Sequence, residues 1–185
     1  MNERVEAILN FWFVKSTYKD YFKRSKNFDK KIRNRFKNDY DKATNNELEN
    51  WQDDPKSCLA LVILLDQFSR NLYRESPLAF KNDYKVRLIV NEAINKGDLV
   101  KLNLHEKFFL LLPLIHSENI SDHIFAYKLY EIYLKNHPNY NGIKNSWNDH
   151  TEVIKKFHRY PHRNKILNRP STSKEITFLK KFSKF

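Results

Sequence analysis

The chain has 185 residues, 41% of them hydrophobic and 15% aromatic, with only two glycines and six prolines. That is enough apolar material for one domain with a sizeable core, and it argues against a turn-rich β-protein. A net charge of +12 admits a nucleic-acid partner, but the lysines are scattered and only Lys174, Lys180, Lys181 and Lys184 cluster, so RNA binding through a basic surface is the less favoured reading. The charged start, Met1 to Glu6, lacks the apolar core of a secretory signal, and no run reaches the ~20 apolar residues of a membrane span. The lone Cys58 excludes an internal disulfide and lies among apolar neighbours that would raise its pKa. These features point to a cytoplasmic protein with no membrane association.

Helical periodicity runs through the chain. Val5, Ile8, Leu9 and Trp12 have the spacing of one buried helical face, and Phe28, Ile32, Phe36 and Tyr40 repeat every four residues in a second helix. Pro55 can open a third, whose stretch Cys58 to Phe68 is apolar nearly all round and is expected at the centre of the fold. Pro77 opens a fourth that runs to about Lys96, with Gly97 as its C-cap. A fifth begins near Leu104 and meets Pro113, which must kink or tighten it. Ser121-Asp122 reads as the N-cap of a sixth, with His123, Lys128, Glu131 and Lys135 on its polar side. Asn139 to Asn148, containing Gly142, reads as a loop before a short seventh helix carrying Val153, Ile154 and Phe157. Thr172-Ser173-Lys174-Glu175 is a capping box announcing an eighth. The expectation is a single all-α domain of stacked antiparallel helix pairs, tetratricopeptide-like, with about eight helices.

Polar residues gather in three places. Asp66 and Arg70 are four apart on the central helix, where a buried acid requires a partner; they serve either as a packing ion pair or as a proton acceptor with an anion clamp. His116 and Glu118 follow Pro113 at a helix end, and the pair suits either a general base or a satisfied helix terminus. His150, His158 and His162 invite a metal reading, but Pro161 interrupts the regular helix that His-x-x-x-His spacing needs, so no metal is assigned. His162-Arg163-Asn164, with Arg169 and the Ser171 and Thr172 hydroxyls, reads better as an anion site or as a lock on the C-terminal turn. No glycine-rich phosphate loop, Gly-x-Ser-x-Gly elbow, zinc-finger spacing or dinucleotide fingerprint is present, and no cofactor is expected.

With these residues in view the chain resembles the bacterial family catalogued as domain of unknown function 924, which is tetratricopeptide-like and all-helical. The likeness runs nearly end to end: Phe11-Trp12-Phe13, Leu59-Ala60-Leu61, Leu65-Asp66-Gln67-Phe68-Ser69-Arg70-Asn71, Phe80 with Asp83, Pro113 with His116-Ser117-Glu118, His150, and Tyr160-Pro161-His162-Arg163-Asn164 with Arg169 and Ser171-Thr172. His158 and Asn168 stand where the family usually has glycine, and Ser69 where it has proline. The resemblance implies the fold and carries no reaction. It marks Asp66, Arg70, Asn71, His116, Glu118, His162, Arg163 and Asn164 as candidates to converge in one ligand-binding pocket. The favoured function is a binding module for a protein, a peptide or a small anionic ligand; the alternative is an enzyme using the Asp/His/Arg cluster. Oligomeric state is not legible.

Overall fold

The computed structural model describes residues 2–181, so Lys184 of the basic cluster lies outside the described residues. Among those described, the chain is all-helical with no strand. The helices are α1 (Glu3–Asn10), α2 (Tyr18–Phe22), α3 (Lys26–Thr44), α4 (Pro55–Val62), α5 (Ser69–Leu72), α6 (Asp83–Asn95), α7 (Leu104–Ile115), α8 (Ile120–Tyr133), α9 (Tyr140–Phe157) and α10 (Ser173–Lys181). A π turn over Ile63–Phe68 joins α4 to α5 end to end, and a second over Phe11–Lys15 prolongs α1. No helix is long and apolar enough to cross a membrane.

The apolar run Cys58 to Phe68 forms the central rod. Leu59 to Leu65 are at most 2% exposed, and α4 packs against α1, α6 and α7. Asp54 caps α4 by accepting the Ser57 N–H at 2.9 Å, and Pro55 takes the first turn, where a missing N–H costs nothing. Around the rod the rings of Phe11, Phe36 and Phe68 and of Trp12 and Phe109 meet at centroid distances of 5.1–6.1 Å. Each such side chain contributes about 1.5–3 kcal/mol by leaving water. Cys58 is 2% exposed, and burial, aided by Asp98, pushes its thiol up to about 12.

Several elements differ from the sequence expectation. The fourth helix is two pieces: a 3-10 turn at Pro77–Phe80, then α6 from Asp83. Asn82 fixes the break to α3 by donating to Tyr40 Oη at 3.1 Å and Thr44 Oγ1 at 3.2 Å. Gly97 does take a left-handed φ of +75° after α6. Helix α7 continues through Pro113 for two residues. The cap of α8 is Asn119, accepting the Ser121 N–H at 3.0 Å, because Asn119 is the residue with extended backbone. His123 is not on a polar face: it is fully buried. Residues Asn139 to Asn148 are not a loop but the cap and first half of α9, whose buried face is Ile143, Trp147, Thr151 and Ile154. Packing of that face against the core outweighs the low helix propensity of Gly142 and the asparagines.

Candidate functional site

A cavity of about 500 Å³ opens where four local features meet: the 3-10 turn Pro77–Phe80, the start of α6, the turn between α7 and α8, and a 3-10 turn at Pro161–Arg163. Its lining includes Phe80, Lys81, Asp83, Arg87, His116 and Arg163.

Asp83 is clamped between two arginines. Arg70 Nη2 donates to its Oδ1 at 2.7 Å and Arg163 Nη1 to its Oδ2 at 3.1 Å. Both guanidinium groups also lie over the Phe80 ring, at 4.7 and 4.6 Å, and Tyr160 stacks on Arg163 at 4.7 Å. Arg163 donates through Nη2 to the His116 carbonyl at 3.0 Å, while its buried Nε has no partner among the described residues. Burial and then the neighbouring Arg70 push the Arg163 guanidinium below its ordinary value.

Asp66 sits on the π turn with 1% exposure, and three donors converge on it. His116 Nδ1 lies 2.8 Å from Oδ1, Gln67 donates to Oδ2 at 2.5 Å, and Arg70 Nη2 is 3.3 Å from Oδ1. Burial opposes ionisation of Asp66, but the electrostatic attraction and hydrogen bond of His116, with Arg70 and Gln67, outweigh it and hold the carboxyl at about 2. The carboxylate partner of His116 is therefore Asp66, fifty positions away, and not its near neighbour Glu118.

Glu118 lines the cavity, yet both its oxygens are engaged. Oε2 accepts from Arg169 Nη1 at 2.6 Å, and Oε1 accepts from Arg169 Nη2 at 2.9 Å and the Tyr160 N–H at 2.8 Å. Asn164 belongs to the same lock: its Oδ1 accepts from Arg169 Nε at 3.0 Å and its Nδ2 donates to Ser171 Oγ at 3.1 Å. Asn71 lies apart, donating to Asp29 Oδ1 at 2.8 Å beside Arg74. His162 packs on Tyr160 at 5.4 Å and does not line the cavity. Thus Asp66, Arg70, His116, Glu118 and Arg163 meet at or behind the cavity wall; Asn164 braces it, and Asn71 and His162 face elsewhere. Among the described residues no group of His, Cys, Asp or Glu side chains is placed to hold a metal ion.

Lys81 and Arg87 were not among the sequence candidates. Arg87 shares the face of Asp83 at i+4, a spacing readable in the sequence. It pairs with Asp122 and donates to Ser117 Oγ at 3.1 Å. Lys81 is exposed at the mouth and makes no ion pair among the described residues; nothing in its sequence context distinguishes it from other surface lysines.

A family model described as a bacterial protein of unknown function (DUF924) matches residues 8–182. A protein of unknown function from Agrobacterium tumefaciens has a similar solved structure, with 30% sequence identity over 96% of this chain and 97% of that one and a TM-score of 0.85. No curated protein matches the sequence.

Proposed function

The chain belongs to the DUF924 family of bacterial proteins of unknown function, and we propose that it binds a small organic anion in the cavity beside Arg163. The observation that carries this reading is the charge balance of the site. Five cations (Lys81, Arg70, Arg87, Arg163 and Arg169) face four carboxylates (Asp66, Asp83, Glu118 and Asp122). Each carboxylate is already engaged by an arginine, so the uncompensated charge is positive and stands at Lys81 on the mouth. The volume suits a small metabolite-sized ligand. The packing of α6 on α7, α7 on α8 and α8 on α9 supports treating the protein as a tetratricopeptide-like binding module, and the buried free Cys58 supports a cytoplasmic setting.

Titration calorimetry with adipate and with inorganic phosphate tests the reading. At least one probe is expected to bind saturably, and Lys81→Ala to weaken it about fivefold, the effect of one partly screened charge contact. Lys81 is exposed, so the variant keeps its fold. Absence of saturable binding by both probes would sink the proposal.

A further inference from the structure

His116 is oriented as well as paired. Its carboxylate partner is 1% exposed and held by Gln67 and Arg70, so the dyad cannot rotate freely. An ionised carboxylate only accepts, so the proton between Asp66 and His116 belongs to Nδ1. That leaves Nε2 as the nitrogen available to a ligand, on a side chain that lines the cavity and is 23% exposed. Among the described residues no protein group bonds Nε2. The adjacent hydroxyl is already committed: Ser117 Oγ donates to Asp122 at 2.5 Å and accepts from Arg87 at 3.1 Å and from the Asn119 N–H at 3.0 Å. With that serine hydroxyl committed, we take water as the group the imidazole activates.

We infer that Asp66 and His116 form a general-base dyad that hydrolyses an ester of a small carboxylic acid bearing a second anionic group, with that anion held by Lys81. This rests on the anion-binding reading above. In the step, His116 Nε2 takes a proton from water as the water oxygen bonds to the ester carbonyl carbon. The oxyanion forms beside the cationic lining. The bond to the alcohol oxygen then breaks, and the imidazolium returns its proton to that oxygen. One ester and one water give one acid and one alcohol, with no cofactor and no redox change. His116 is the catalytic residue; Asp66 is a positioning residue that fixes its tautomer and angle.

The test uses the full chain and mono(4-nitrophenyl) adipate, following nitrophenolate release, with calorimetric binding of adipate measured on the same samples. His116→Ala is expected to lower kcat by about 100-fold or more, to leave adipate affinity within a few-fold, and to be rescued by added imidazole. Asp66→Asn is expected to lower kcat while the calorimetric stoichiometry for adipate stays at that of the parent protein, whereas general loss of structure would lower both together. Should Asp66→Asn misfold, His116→Ala with imidazole rescue still decides, because His116 is partly exposed at a helix end. Adipate binding without hydrolysis would overturn the dyad and leave the anion reading standing. Neither binding nor hydrolysis would overturn both. Hydrolysis that persists in His116→Ala would overturn the dyad alone.

Discussion

At His158 the backbone takes φ +56°, a left-handed conformation that crowds Cβ against the following carbonyl and costs roughly 1–2 kcal/mol outside glycine and asparagine. The residue closes α9 as its C-cap, with its N–H bonded to the Ile154 carbonyl at 2.8 Å, and its side chain is exposed. Asn168 is similar at φ +52°. At both positions the turn, not a ligand, sets the backbone. His158→Gly is therefore expected to raise stability by about 0.5–1 kcal/mol, since relief of strain exceeds the added entropy of the unfolded chain. Asn168→Gly should change it by less than about 0.5 kcal/mol, because asparagine tolerates this region. Urea midpoints of the two variants decide the matter; a destabilised His158→Gly would mean that the side chain has a role beyond its backbone.

Element by element, the amphipathic faces were legible wherever their spacing was clean. The faces of α1, α3 and α4 and the Gly97 turn came from periodicity and backbone chemistry alone. The capping box at Thr172 is also present: Glu175 Oε2 accepts the Thr172 N–H at 2.7 Å, and Thr172 Oγ1 accepts the Glu175 N–H at 3.2 Å. What escaped was set by contacts distant in sequence. The first half of α9 looked like a loop because glycine and asparagine have low propensity, while its stabilising partners lie on α7 and α8. The site divides in the same way. Asp66 with Arg70 is visible at i+4, but His116 with Asp66 and Arg163 with Asp83 are long-range pairs that one sequence cannot reveal. Helix α10 makes the role of such pairs testable. Beyond its cap, it is held by Arg159, which donates to Glu175 at 2.7 and 2.9 Å. Glu175→Gln breaks a charge-assisted pair around a residue only 2% exposed, at a cost of about 2–3 kcal/mol. Because α10 docks mainly on the small cluster of Val153, Ile154 and Tyr160 through Phe178, the loss should be local. Hydrogen exchange is expected to speed in α10 and much less in α4. Equal acceleration in both would show that α10 unfolds only with the whole domain.

Across the molecule, acid is the condition to which this architecture is most exposed. Three histidines surround the buried Tyr160 ring: His123 at 6.4 Å, His150 at 5.8 Å and His162 at 5.4 Å between ring centroids. Burial lowers all three below their ordinary value of about 6.5, with His150 at about 4 and His162, which also feels Arg163, at about 3. His123 meets the Ser117 carbonyl through Nε2 at 2.9 Å and Thr151 Oγ1 through Nδ1 at 2.9 Å. Above about pH 6.5 neither the folded nor the unfolded chain protonates these rings, so their contribution is flat and fully present. As pH falls from 6.5 toward 4, the unfolded chain takes up protons that the folded chain refuses, and stability drops by up to about 1.4 kcal/mol per pH unit per histidine. At pH 5 that amounts to about 2 kcal/mol each for His150 and His162, a large share of the 5–15 kcal/mol typical of a domain, and His123 acts in the same direction. Ionised Asp66, at about 2, adds its own loss as pH falls through the carboxylate range, from about 4 toward 2. Stability measured by urea unfolding from pH 8 to pH 4.5 is thus expected to be level at first and then to fall with a slope of at least about two protons, from His150 and His162, to which the also lowered His123, His105 and His137 add. Replacing His162 by Gln should remove about one proton from that slope while leaving the plateau within about 1–2 kcal/mol. A flat profile between pH 6.5 and 5 would mean that these rings are charged or solvated in the folded protein.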